Sequence, residues 1–125
     1  MGTQYIVDTN VLIDAQMKRL PSNGLIFLAK AINSDFIISF ITQIEYLGYK
    51  NISKESEEFI SLADVIWIDQ HIIEKSIEIR KNHKIKLPDA IIAATALTRG
   101  LILVTHNEDD FVGVHDLMLI NPYLL

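Results

Sequence analysis

The sequence predicts an α/β fold in which a mostly parallel sheet lies between helices on both of its faces. Short apolar runs that do not alternate with polar residues recur along the chain: Phe36–Ser39 (FIIS), Val65–Ile68 (VIWI), Leu101–Val104 (LILV) and Leu117–Ile120 (LMLI). Such runs read as strands buried on both faces. Segments with apolar residues at helical spacing stand between them. The resulting order of strand, helix, helix, repeated, needs crossovers that cover both faces of one sheet. With 125 residues, of which 50% are hydrophobic, residues 1–125 form a single domain with a sizeable core.

Each element has a local reason. Gln4–Val7 (QYIV) favours a strand and stops at Asp8-Thr9-Asn10, a turn or N-cap, after which Val11–Ala15 begins a helix. Pro21 to Gly24 is punctuation. A helix over Leu25–Ile32 follows, with Leu25, Leu28, Ala29 and Ile32 on its inward stripe. After the FIIS strand, Phe40–Tyr49 returns to helical spacing through Phe40, Ile41, Ile44 and Leu47. Ser53–Leu62 is a polar-faced helix with Phe59 and Leu62 inward. After VIWI, Asp69 caps a helix from Gln70 to about Asn82. Pro88 suits a first helical turn, Asp89–Thr98 continues that helix, and Gly100 stops it. LILV, a polar knot over Thr105–Asp110 and LMLI complete the chain.

Composition removes several classes. The absence of cysteine excludes a disulfide framework, a thiolate zinc site and a cysteine nucleophile. A net charge of −5 argues against a simple electrostatic binder of DNA or membrane. No apolar run reaches the roughly 20 residues of a membrane span. The start MGTQYIVD lacks a basic segment followed by an apolar one, so a cytoplasmic location is expected. There is no GxSxG nucleophile turn and no glycine-rich phosphate loop. The histidines, His71, His83, His106 and His115, are scattered and offer no ligand pair at helical spacing.

Four acids fall in unusual places. Asp8 follows the first strand. Glu45 lies in an apolar helix near Ile41 and Tyr49. Asp89 lies in a first helical turn, and Asp110 in the knot after LILV. Each has an ordinary reading: a cap for Asp8, a charge on a helix dipole for Asp89, an exposed helix edge for Glu45, a solvated turn acid for Asp110. Together they mean more, because ligands on a doubly wound sheet bind beyond the carboxyl ends of its strands. Converging carboxylates repel and demand a counter-ion. Oxygen ligands without cysteine or paired histidine suit Mg²⁺ or Mn²⁺, and such a metal favours phosphodiester hydrolysis. Arg80, Lys81, His83, Lys84 and Lys86 form a basic segment before Asp89. It is either a solvated helix end or one lip of a nucleic-acid site, with Lys18 and Arg19 opposite.

These residues also resemble a known family. VDTNVLID (Val7–Asp14), the Glu45 helix, KLPDAIIAATAL (Lys86–Leu97) and LVTHNEDDF (Leu103–Phe111) look like the signatures of PIN-domain nucleases. They are most similar to the VapC-like toxin ribonucleases of type II toxin–antitoxin pairs. The resemblance implies a PIN-like three-layer α/β/α architecture around a twisted sheet. It implies an acidic quartet of Asp8, Glu45, Asp89 and Asp110, with Asp8, Asp89 and Asp110 as metal ligands. Asn10 matches the polar residue supporting the first acid, and Thr105 and Asn107 match those around the last. Asp109 adjoins Asp110, and the spacing Asn107-x-x-Asp110-Phe111 favours Asp110. The implied activity is Mg²⁺- or Mn²⁺-dependent endoribonuclease cleavage of RNA, leaving 5′-phosphate and 3′-hydroxyl ends. The implied partners are a second copy and an antitoxin protein. Two rivals stand beside this reading. One is a non-catalytic PIN domain that binds RNA or protein. The other is a phosphohydrolase with Asp8 as nucleophile, which wants a second Asp where Asn10 stands. The surplus of apolar residues, Trp67 and the closing Tyr123-Leu124-Leu125 suggest an interface.

Overall fold

The computed structural model describes residues 2–125. Its strands are β1 (Tyr5–Val7), β2 (Ile37–Ser39), β3 (Asp64–Ile66), β4 (Ile102–Val104) and β5 (Leu119–Ile120). Its helices are α1 (Thr9–Gln16), α2 (Ser22–Ser34), α3 (Phe40–Leu47), α4 (Lys54–Ile60), α5 (Gln70–Asn82) and α6 (Leu87–Arg99). Two short 3₁₀ turns, Glu108–Phe111 and Pro122–Leu124, complete the described elements. The strands form one all-parallel sheet in the order β3-β2-β1-β4-β5.

The pleat explains why the strands read as unbroken apolar runs. Successive side chains on a strand point to opposite faces. Ile6, Ile37 and Leu103 face a core built on α5 and α6. Their neighbours Val7, Ile38 and Val104 face a second core built on α1 to α4. The result is three layers, α/β/α. Ala90, Ala93, Ala94 and Ala96 of α6 are all buried, and their small side chains let this helix lie close to its neighbours. Asp69 caps α5 by accepting a hydrogen bond from the Ile72 amide at 2.9 Å. Gly100 ends α6 with φ +66°, a left-handed conformation that favours glycine.

Several expected details differ. The VIWI and LMLI runs are edge strands, not doubly buried ones. Asp64 is exposed, Val65 and Ile66 are half-buried, and Trp67 and Ile68 are exposed beyond the strand end. The inward stripe of α2 is Gly24, Leu28 and Ala31, whereas Leu25 and Ala29 point outward. On α4 the buried residue is Ile60, and Leu62 beyond it is exposed. On α3 the buried positions are Thr42 and Tyr46, while Ile44 and Leu47 are exposed. In each case an apolar residue at the right period lies on a face that no other layer covers. Tyr123 is half-buried against the body of the fold, so the closing segment is only partly free surface, at Leu124 and Leu125.

Candidate active site

The strand order makes β1 and β4 neighbours, although the chain leaves them in opposite directions across the sheet. A crevice beyond the carboxyl ends is expected at such a switch point. Asp8 follows β1 and Thr105 follows β4, and the two meet there. Asp8 is 6% exposed and caps α1 from an extended backbone. Its Oδ1 accepts a hydrogen bond from the Thr9 amide at 2.8 Å, and its Oδ2 accepts one from Thr105 Oγ1 at 2.9 Å. Its own amide donates to the Val104 carbonyl at 2.9 Å, which ties the corner to β4. Thr105 Oγ1 in turn accepts from the Asn107 amide at 3.1 Å.

Glu45 reaches the same place from α3. Thr9 Oγ1 donates to Glu45 Oε1 at 2.5 Å and is also hydrogen-bonded to Thr42 Oγ1 at 3.2 Å. Asp89 stands half-buried in the first turn of α6. Asp110 lies in the 3₁₀ turn after β4, its amide donating to the Asn107 carbonyl at 3.1 Å. All four acids line one pocket of about 270 Å³, together with Thr9, Asn10, Tyr49, Lys86, Pro88 and Asn107. Asp110 and not Asp109 shares this pocket; Asp109 faces an adjoining hollow with His106 and Glu108.

The electrostatics follow from crowding. Burial raises the Asp8 carboxyl above its ordinary range, and the Glu45 and Asp110 charges push it further. The Thr105 and Thr9 hydrogen bonds oppose this by favouring the ionised form. Asp89 is raised to about 6 by burial first, then by the charges of Asp110, Asp8 and Glu45, with Lys86 opposing. The donor set is carboxylate oxygen, and no histidine is among the pocket walls. That chemistry fits a hard divalent cation. The acids spread around the pocket: among the described residues, no three His, Cys, Asp or Glu side chains are drawn together closely enough to form a metal site as they stand.

The supports of the acids are arranged differently from the expectation. Asn10 is exposed and lines the pocket, but the side chain that bonds Asp8 is Thr105, which was expected around the last acid. Glu45 is exposed at the mouth, at the helix edge, and is held by Thr9. Thr9 anchors Glu45 directly and Thr42 steadies Thr9, both buried threonines; the sequence signal is a threonine one residue after Asp8 and another three residues before Glu45. Of the basic segment, Lys86 alone lines the pocket. Arg80, Lys81 and Lys84 are exposed outside it, the first two in the last turn of α5. Arg19 walls a second groove, which meets the acidic pocket at Tyr49, and Lys18 lines neither.

The chain is similar in sequence and in fold to known proteins. The model of the PIN domain family matches residues 5–116. Ribonuclease VapC21 of Mycobacterium tuberculosis is 24% identical over 119 residues, covering 89% of this chain and 86% of that protein. A chain of a toxin–antitoxin complex from Klebsiella pneumoniae superposes with a TM-score of 0.76 at 33% identity, covering 96% of this chain and 98% of its own. A chain of DNA-bound VapBC from Salmonella typhimurium shares the fold, with a TM-score of 0.78 at 23% identity over 97% of this chain and 99% of its own.

Proposed function

This chain belongs to the PIN domain family, and from that premise we propose that it is a metal-dependent endoribonuclease, the toxin of a type II toxin–antitoxin pair. The observation that carries the reading is the meeting of Asp8, Glu45, Asp89 and Asp110 in one pocket beyond the carboxyl ends of a parallel sheet. The ribonuclease name of the Mycobacterium tuberculosis relative and the toxin–antitoxin complex from Klebsiella pneumoniae support the substrate and the biological pairing.

In this reading Asp8 and Asp89 hold a Mg²⁺ or Mn²⁺ ion, with Asp110 completing the set. When bound, that ion polarises the phosphodiester and lowers the pKa of a water molecule. The protein's own residues do the positioning. Thr105 and the Thr9 amide each occupy one Asp8 oxygen and so fix its orientation. The Thr9 hydroxyl holds Glu45, which orients the attacking water and accepts its proton. Lys86 at the rim faces the phosphate with a positive charge. Asn10 and Asn107 add polar walls.

The proposal extends to assembly. Residues 1–125 act as a single nuclease domain in the cytoplasm, as a homodimer, with an antitoxin protein that silences it. Among the described residues no helix is long and apolar enough to cross a membrane. The test is cleavage of a panel of single-stranded and structured RNAs by purified protein with Mn²⁺, and again in excess EDTA. Cleavage with Mn²⁺ that EDTA abolishes is expected. Undiminished cleavage in EDTA would overturn the metal mechanism. RNA binding without cleavage under either condition would leave a non-catalytic RNA-binding domain.

A further inference from the structure

We propose that the groove adjoining the acidic pocket is a nucleoside subsite, which seats one unpaired base of the RNA, next to the scissile phosphate, on the ring of Tyr49. The inference rests on the ribonuclease reading above and adds to it where the substrate lies.

Continuity comes first. The groove has a volume of about 410 Å³, and Tyr49 is a wall of both it and the acidic pocket. An RNA strand with a phosphate among the acids therefore passes Tyr49 with the neighbouring nucleoside. Tyr49 lies two residues beyond the end of α3, the helix that carries Glu45. It is 54% exposed and takes part in none of the aromatic pairs among the described residues. A free aromatic face beside a phosphate site is what single-stranded RNA uses for base stacking.

Charge and size agree. Arg19 and Lys50 are walls of the groove in a chain of net charge −5. Arg19 contacts Asp14 only at 3.9 Å, and its side chain stays 62% exposed, free to meet a flanking phosphate. The volume is at the small end of small-molecule sites, roughly 300–1,000 Å³, which admits a nucleoside and not a duplex. Tyr46 adds a separate observation. This groove residue is 3% exposed, and its buried hydroxyl has no hydrogen-bond partner. That hydroxyl is closed to solvent, so a base seated in the groove does not reach it, and Tyr46→Phe serves as the control variant.

The test is binding without turnover. A fluorescent single-stranded RNA hexamer is titrated with Ca²⁺ in place of Mn²⁺, a hard cation for the same oxygen ligands, against wild type, Tyr49→Ala, Tyr49→Phe and Tyr46→Phe, and the melting temperature of each free protein is measured. Tyr49→Ala should weaken binding at least about fivefold, the loss of one stacked base, and Tyr49→Phe should restore it to within about twofold. Tyr46→Phe, which removes a hydroxyl closed to solvent, should leave binding within about twofold of wild type. Hexamers carrying one abasic residue should lose affinity at a single position in wild type and at none in Tyr49→Ala. Equal binding by wild type and Tyr49→Ala overturns the subsite and leaves the nuclease reading intact. Binding by no form overturns the subsite, and cleavage of the same hexamers with Mn²⁺ then shows whether the nuclease reading falls with it.

Discussion

At the scale of single residues, the acids differ in what they can lose. Asp8→Asn keeps a capping side chain at the start of α1, and asparagine caps about as well as aspartate. The fold should survive, while the loss of about 3 kcal/mol of transition-state stabilisation lowers turnover about a hundredfold. Circular dichroism and a cleavage assay on the same sample check both halves. Asp89 makes a pH prediction. Its carboxyl is raised from 3.8 to about 6 in the folded protein, so folding favours its protonated form. Its contribution to stability is fully present below pH 3.8 and is lost as pH rises through about 6. Without added metal, the melting temperature of Asp89→Asn relative to wild type should therefore climb between these pH values. Added Mn²⁺ should raise the wild-type melting temperature at neutral pH and leave that of Asp89→Asn nearly unmoved. A difference in melting temperature that stays flat with pH would place Asp89 in open solvent.

At the scale of elements, two contacts couple packing to the site. Thr9 in α1 bridges to Glu45 in α3. Thr9→Val keeps the shape and removes the hydroxyl, so turnover should fall about tenfold, in line with one lost charge-assisted hydrogen bond. Thr9→Ser should recover most of it. A structural role alone would show in the melting temperature and not in this serine rescue. The second contact lies far from the acids. A Cβ on Gly24 would stand 2.1 Å from the Pro122 carbonyl oxygen, a backbone atom with little freedom to retreat. Gly24→Ala should thus push the C-terminal segment off α2 and cost about 1–3 kcal/mol, read as a fall in the denaturation midpoint. The same segment holds Asn121, whose side chain donates to Glu108 Oε2 at 3.0 Å and to the His106 carbonyl at 3.4 Å. Cleavage should weaken with it, because these bonds steady the turn that carries Asp110.

At the scale of the whole molecule, exposed apolar side chains ask for a partner. Trp67 is 65% exposed, and Ile44, Leu62 and Met118 are also exposed. Trp67 follows β3 at one edge of the sheet and Met118 precedes β5 at the other, so they form no single patch, and the proposed homodimer would cover one such edge. Light scattering at micromolar concentration should return twice the mass of one chain. A value for a single chain would remove the homodimer and leave these side chains to the antitoxin.

The sequence by itself determined the order of elements and the parallel α/β class, and its resemblance to PIN-domain nucleases pointed to the four acids that line the pocket. Burial on both faces writes an unbroken apolar run, amphipathic packing writes a helical period, and an acid at a strand end shows in a few adjacent residues. The caps at Asp69 and Gly100 were legible for the same reason, since capping is a local bond or a local φ. Only the tertiary structure decided what holds each acid. Thr105 and Asp8 are 97 positions apart and bond because β4 lies beside β1, a neighbour relation that no local pattern encodes. Glu45 came to rest on Thr9, 36 positions away, because α1 and α3 share one face of the sheet. The faces of α2, α3 and α4 turned from their expected stripes for a related reason. Periodicity tells which residues could be buried together, but the layer that covers them decides which are. β3 at the sheet edge makes the point, since VIWI has the composition of a buried strand and no neighbour on its outer side.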